Sequence, residues 1–306
     1  MEATIASVAQ LRAQLVEQYG EDRVRCQEPL ARYVNWRVGG PADLLFIART
    51  REELVTGVQR ARDRSLPVTV IGYGANVLVS DRGIRGLVIV NRAEDITVSG
   101  ERITADSGTN LVTLARRACE EGLSGLEFLI GIPGTVGGAI VGNAGTRDEW
   151  IGDRVERIEI LAPHGELQWL EQRELDFGYR RSRLQRTGEI ILRAVLLGRK
   201  APRGEIEKRM DQMLAARRNQ PTGPSAGSVF KNPPGDFAGR LIEACGLKGY
   251  RIGGAKISEQ HANFIINTGG ATAGEIRALI EVARQEVVRK FGIRLEEEVR
   301  YLGEWD

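Results

Sequence analysis

Two glycine-rich loops carry the first residues in this chain whose types and spacing suggest chemistry. In GYGANVLVSD (72–81), Gly72 and Gly74 close an apolar run, with Tyr73, Ala75, Asn76 and Val77 around them. GIPGTVGGAIVGNAG (131–145) holds six glycines in fifteen residues, among them Gly131, Gly134, Gly137 and Gly138, with Pro133 inside and Asn143 near its end. Where no side chain holds the backbone away, successive N–H groups form a concavity for anions. A flat polar ligand with a pyrophosphate, such as a flavin dinucleotide, needs such donors. Either loop alone reads equally well as a tight strand turn. Together, each beside an apolar run, they favour one large shared ligand. The first is no dinucleotide fingerprint, which needs G-x-G-x-x-G opening a helix; position 77 is Val and the pattern resumes as strand.

Arginine grips carboxylate and phosphate oxygens in pairs. Tyr179-Arg180-Arg181 follows Phe177-Gly178 in a turn-like segment, although most of the 37 arginines must simply be surface. Ser228 lies in PSAGSVFKN (224–232), a loop too elaborate for a plain connection, where a serine alone implies only loop hydrogen bonding. Glu296, Glu297 and Glu298 form an acidic run. Strand alternation sends Glu297 and Val299 to one side and Glu296, Glu298 and Arg300 to the other, without saying which faces a cleft. His261 reads as a satisfied polar residue.

Composition removes whole classes of function. Two histidines and three scattered cysteines build neither a zinc site nor a disulfide framework, so no metal is expected. A Ser-His-Asp hydrolase would rest on one of two histidines. Basic and acidic residues number 43 and 41, a net charge of +2, which supports neither nucleic-acid nor polybasic membrane binding. The amino-terminal stretch has no secretory pattern, no apolar run spans a membrane, and the cysteines fit a reducing compartment, so a cytoplasmic protein is expected.

The elements that must position these residues read as a mixed α+β chain. An apolar stripe through Ile5, Val8, Leu11, Leu15 and Tyr19 predicts a helix. A strand over 43–48, a helix capped by Thr50 with Glu53 three residues on, and a strand over 68–71 make a βαβ unit. Val77–Val79 resumes as strand, and two more strands are expected over 86–106. Asn110 caps a helix stopped by Gly122. Strands follow at 154–161, 166–170 and 189–197, a charged helix at 204–218, helices at 237–245 and 272–291 around a strand at 262–267, and a final strand at 293–302.

These segments in this order resemble the UDP-N-acetylmuramate dehydrogenases (UDP-N-acetylenolpyruvoylglucosamine reductases, MurB). The resemblance rests on WRVGGPAD (36–43), GYGANVLVSD (72–81), GLEFLIGIPGTVGGAIVGNAG (125–145), FGYRRS (177–182), PSAGSVFKNP (224–233), GLKGYRIGGAKISEQHANFIIN (246–267) and LEEEVRYLG (295–303). It implies a FAD-binding fold of the PCMH type, with two α+β subdomains and a C-terminal α+β substrate-binding domain. Residues 1–92, with strand 295–306 returning to them, would form the first subdomain, 93–203 the second and 204–294 the substrate domain. It also implies non-covalent FAD on the two glycine loops, NADPH as reducing co-substrate, and a UDP-sugar enolpyruvyl ether as substrate of a monomeric enzyme.

Carried over position by position, the resemblance makes Arg180 the holder of the enolpyruvyl carboxylate, Ser228 the proton donor and Glu298 a third catalytic residue. Residue type alone points instead to Glu298 or Tyr179 as the acid, because a free serine is a weak one. Tyr179, Arg217, Lys231, Asn232 and His261 are the implied substrate contacts, with Arg217 or Arg218 meeting the diphosphate. The chain departs from the family at Thr146-Arg147-Asp148, where relatives carry an alanine-tyrosine-glycine turn, and at Asn219, where they often carry lysine. The short stretch from Arg180 to Ser228 places it in the shorter subgroup. A flavin oxidase of the wider PCMH group is the competing enzyme reading, and it often tethers flavin through His or Cys, which neither glycine loop contains.

Overall fold

In a computed structural model the described residues are 2–305; Met1, Asp306 and the side chains of residues 2–5, Ile5 among them, lie outside them. The chain falls into two compact units. One comprises Met1–Val24, Phe46–Gly72 and Ile89–Arg218, the other Arg25–Leu45, Tyr73–Val88 and Asn219–Asp306. Strands Val24–Pro29, Pro41–Ala48, Ile84–Asn91 and Val68–Ile71 form a four-stranded sheet in that order.

The first unit is built on a five-stranded antiparallel sheet, ordered Leu167–Glu171, Val155–Leu161, Ile190–Leu197, Arg102–Asp106, Ile96–Ser99. Its inward face, including Ile158, Ile160, Ala194 and Leu196, buries against helix Leu111–Glu120 and the segment 126–140, giving one apolar core. The helix begins where Asn110 accepts hydrogen bonds from the N–H groups of Val112 (2.8 Å) and Thr113 (3.3 Å), and it ends before Gly122, whose φ is 64°. The second unit packs helices Ala238–Ala244 and Ala273–Phe291 with a three-stranded sheet, Arg251–Ile252, Ala255–Ile257 and Ile265–Asn267. Thr272 and Glu275 box the longer helix's start and Gly292 (φ 68°) ends it. Strand Arg300–Leu302 runs parallel to Val77–Val79.

Three expectations change. Residues 84–106 form three strands, because Gly100 (φ 63°) makes a two-residue turn pairing Ser99 with Arg102. The second glycine segment contains a helix, Val136–Val141, started by the Thr135 hydroxyl accepting from Gly138 N–H (3.3 Å). Burial of Val136 and Ile140 there outweighs the poor helix propensity of glycine. The last strand is only Arg300–Leu302, because residues 296–298 pair with the serine segment instead. Among the described residues no helix is long and apolar enough to cross a membrane.

Candidate functional site

In the first unit, Gly178 and Arg181 exchange N–H···O=C bonds of 2.9 and 3.1 Å, closing a tight turn with Tyr179 and Arg180 at its tip. Arg180 has a left-handed backbone (φ 54°), a conformation that a side chain adopts only when its surroundings enforce it. Its guanidinium donates to the Gly145 carbonyl (3.1 Å) and lies 5.2 Å from the Trp150 ring centroid, which meets Tyr179 edge-on. The divergent 146–148 segment is the tip of the hairpin that brings Trp150 there, since Gly145 bridges to Trp150. Asn143, expected at the cofactor, has its amide committed inside the protein. It is buried at φ 42°, donates to Gly178 C=O (2.9 Å) and accepts from Gly152 N–H (3.0 Å). Its contribution to the site therefore passes through the turn that carries Arg180.

Arg217 donates to the Gly131 carbonyl, whereas Arg218 is exposed, so of the two candidates Arg217 meets the second glycine loop. Burial and the neighbouring positive charge of Arg180 hold its pKa below the usual arginine value. It forms no ion pair among the described residues. Two guanidiniums thus lie against the second glycine segment, and Arg217 among them is desolvated.

In the second unit the segment Ser228–Lys231 runs between two others. On one side Val229 N–H donates to Asn263 C=O (2.9 Å), and Ser228 bridges Phe264. On the other, Glu298 N–H donates to Val229 C=O (2.8 Å) and Lys231 N–H to Glu296 C=O (2.8 Å). The first glycine loop joins the same strand. Asn76 donates through its amide to Glu298 C=O (3.2 Å), and its own C=O accepts from Arg300 N–H (3.2 Å). Tyr73, Gly74, Ala75, Asn76, Val77, Ser228 and Glu298 thus share one framework. The half-buried Ser228 hydroxyl makes no hydrogen bond among the described residues. Glu297 pairs with Arg284 and Val299 is buried, so alternation turns Glu298 to the opposite side.

Lys231 pairs with Glu296, and Asn232 accepts from Ala238 N–H (3.1 Å), fixing the serine loop to the start of helix Ala238–Ala244. His261 accepts at Nδ1 from Asn263 N–H (3.2 Å) and packs edge-on against Phe264. Desolvation of its ring holds its pKa below the usual histidine value. Sequence reasoning missed Thr135, Trp150 and the amide of Asn263; only Thr135, a hydroxyl residue just ahead of an apolar turn, had a local signal.

The glycine loops fit a dinucleotide cofactor in part. A Cβ at Gly72 would meet Thr135 at 2.5 Å, at Gly74 the Tyr33 carbonyl at 2.5 Å, and at Gly131 the Arg217 side chain at 2.6 Å, so these glycines satisfy the protein's own packing. At exposed Gly138 a Cβ would meet nothing nearer than 3.5 Å, although its N–H and C=O already bond Thr135 and Gly142. Asn76 Oδ1 and Thr109 Oγ1 are buried without hydrogen-bond partners, and such orphaned polar groups are costly unless a ligand or water meets them. Each unit by itself thus offers polar groups of the kind that FAD, with its pyrophosphate and polar ring, requires.

Residues 42–171 match the FAD binding domain family, and 219–302 match the C-terminal domain of UDP-N-acetylenolpyruvoylglucosamine reductase. The UDP-N-acetylenolpyruvoylglucosamine reductase of Moorella thermoacetica is 48% identical over 286 residues, spanning 92% of this chain and 94% of its own. The chain belongs to the UDP-N-acetylenolpyruvoylglucosamine reductase family. The reductase of Heliobacterium modesticaldum is 45% identical, covering 91% of this chain and 90% of its own. The crystal structure of the family's enzyme from Thermus caldophilus superposes with a TM-score of 0.80 at 40% identity, covering 92% of this chain and 99% of that one. The α+β fold is accordingly that of this FAD-binding family, with its C-terminal domain.

Proposed function

We propose that this chain is an oxidoreductase that uses NADPH and bound FAD to reduce UDP-N-acetylenolpyruvoylglucosamine to UDP-N-acetylmuramate, a peptidoglycan precursor, working as a monomer in the cytoplasm. The observation that carries this is the second unit's framework, in which the loop of Asn76, the segment of Ser228 and the strand of Glu298 are joined by hydrogen bonds. In this reading residues 1–92 with strand 295–306, and 93–203, are the flavin-binding subdomains, and 204–294 the substrate domain. The backbone of Tyr73–Val77, with Gly131, Pro133, Gly134, Gly137 and Gly138, holds FAD. Held there, FAD would supply the two-electron hydride chemistry that links NADPH to the terminal methylene carbon of the enolpyruvyl ether.

The protein's own groups complete the reaction. Negative charge develops on the carbon next to the carboxylate, and Arg180 stabilises it electrostatically because its guanidinium is held in place before the charge appears. Ser228 Oγ–H gives its proton to that carbon, and the hydroxyl is later restored from solvent. Glu298 lies near the same carboxylate. Arg217, Lys231, Asn232, Tyr179 and His261 hold the UDP-sugar. Each turnover should consume one NADPH and yield a product heavier than the substrate by two hydrogens. NADPH oxidation that is indifferent to the enolpyruvyl substrate, with no such product by mass spectrometry, would defeat the proposal.

A further inference from the structure

Asn263 is 3% exposed, and its side chain makes two hydrogen bonds to one residue of the serine segment. Oδ1 accepts from Phe230 N–H (2.9 Å) and Nδ2 donates to Phe230 C=O (2.8 Å). The Asn263 backbone carbonyl meanwhile accepts from Val229 N–H (2.9 Å). Successive N–H groups of a regular strand point to opposite sides, so one neighbour cannot normally receive two in a row. Here Val229 and Phe230 both donate to Asn263, so the chain is bulged directly after Ser228. Bulges of this kind re-aim a side chain and recur beside active sites. Phe230 stays paired with Glu297 on one side, and on the other the amide of Asn263 supplies the partner that no backbone offers to a residue only 2% exposed.

From this geometry we infer that Asn263 is a positioning residue, setting the direction of the Ser228 hydroxyl by holding the bulge at Val229–Phe230. The other edge of the segment is fixed to Glu298 through Val229 C=O. Asn263 therefore controls how the proton donor stands relative to the glutamate strand without touching substrate itself. The inference rests on the reading of Ser228 as proton donor and adds the residue that aims it.

The test uses the FAD-loaded enzyme and follows two half-reactions separately by stopped flow. In Asn263→Ala, flavin reduction by NADPH should keep the parent's rate, while reoxidation by the enolpyruvyl substrate should slow about 10- to 100-fold, the loss that follows from a small misplacement of a reacting group. Its solvent deuterium isotope effect should rise above the parent's, because proton delivery becomes the slower event. Asn263→Asp keeps the acceptor for Phe230 N–H but sets oxygen against Phe230 C=O. It should show the same selective slowing, and it serves if the alanine variant does not fold. Equal slowing of both half-reactions, or reoxidation at the parent's rate in either folded variant, overturns the positioning role. A parent enzyme whose reduced flavin ignores the substrate overturns the reductase reading instead.

Discussion

Arg180 and Ser228 sit in different units and are held by different devices. Arg180 stands at the tip of a tight turn in left-handed backbone, and the buried amide of Asn143, itself left-handed, ties that turn down by bonding Gly178 and Gly152. Ser228 stands in extended chain between two neighbouring segments, and the buried amide of Asn263 ties down the bulge beside it. Both units thus use an asparagine to bond backbone atoms that no regular ladder could reach. The difference lies in strain. The turn holds Arg180, and the segment that ties it holds Asn143, in left-handed backbone, which would fix a cation rigidly for the role proposed for it. The serine segment carries no such residue, and the proton delivery proposed for its hydroxyl would need aim more than rigidity.

The largest expected effect separates the reactive groups from their supports. Ser228→Ala should slow substrate-driven flavin reoxidation by about 10²–10⁴, the usual contribution of a positioned acid, and leave reduction by NADPH unchanged in stopped flow. Arg180→Ala should slow the same half-reaction by about 10²–10³, as expected for removal of one preorganised electrostatic contact. Comparable loss in the NADPH half-reaction would break the division of labour.

The supports should differ in the order of their variants. Asn143→Ala removes two buried hydrogen bonds, a loss of about 1–3 kcal/mol for each polar group left unpaired, and forces alanine into left-handed backbone. Asn143→Gly relieves that strain and should be the more stable by about 1 kcal/mol. At Asn263, whose φ is not positive, glycine brings no relief and should be the less stable by about 0.5–1 kcal/mol. Melting temperatures of the four variants check the reversal; the same order at both sites would show that strain does not distinguish them.

The smallest effect is a pH dependence that differs between the units. In the first, burial and then the nearby Asp95 push the Asp106 carboxyl up to about 6. A raised folded pKa means that the folded state binds the proton more tightly, so this stabilisation is complete below the unfolded value near 4 and lost as pH rises through 6. With about half of the group open to solvent, screening reduces it to about 1 kcal/mol. In the second unit, Arg240 holds the Asp236 carboxyl down at about 2, so its contribution is lost only in strong acid. Asp106→Asn should therefore raise the melting temperature at pH 7 but not at pH 4, and Asp236→Asn should show no such crossover in that range.

Much of this arrangement is legible along the chain, and the limits have physical reasons. The caps at Thr50, Asn110 and Gly122 act within a turn of their residues, so local spacing locates them. Strands of two or three residues, such as Arg251–Ile252 and Ala255–Ile257, show no periodicity and pass unseen. The glycine excess is a mixed signal, because Gly72, Gly74 and Gly131 answer to Thr135, Tyr33 and Arg217 within the protein, while Gly138 is left open. Ser228 is unremarkable as a serine. The amide that bonds the segment beside it lies 35 residues away, and no local pattern carries that information.

The most direct measurement is the visible spectrum of the FAD-loaded protein through one cycle. NADPH should bleach the flavin band, and UDP-N-acetylenolpyruvoylglucosamine should then restore it without oxygen. A band that NADPH bleaches but only oxygen restores would contradict the account, placing this chain among flavin enzymes with another substrate.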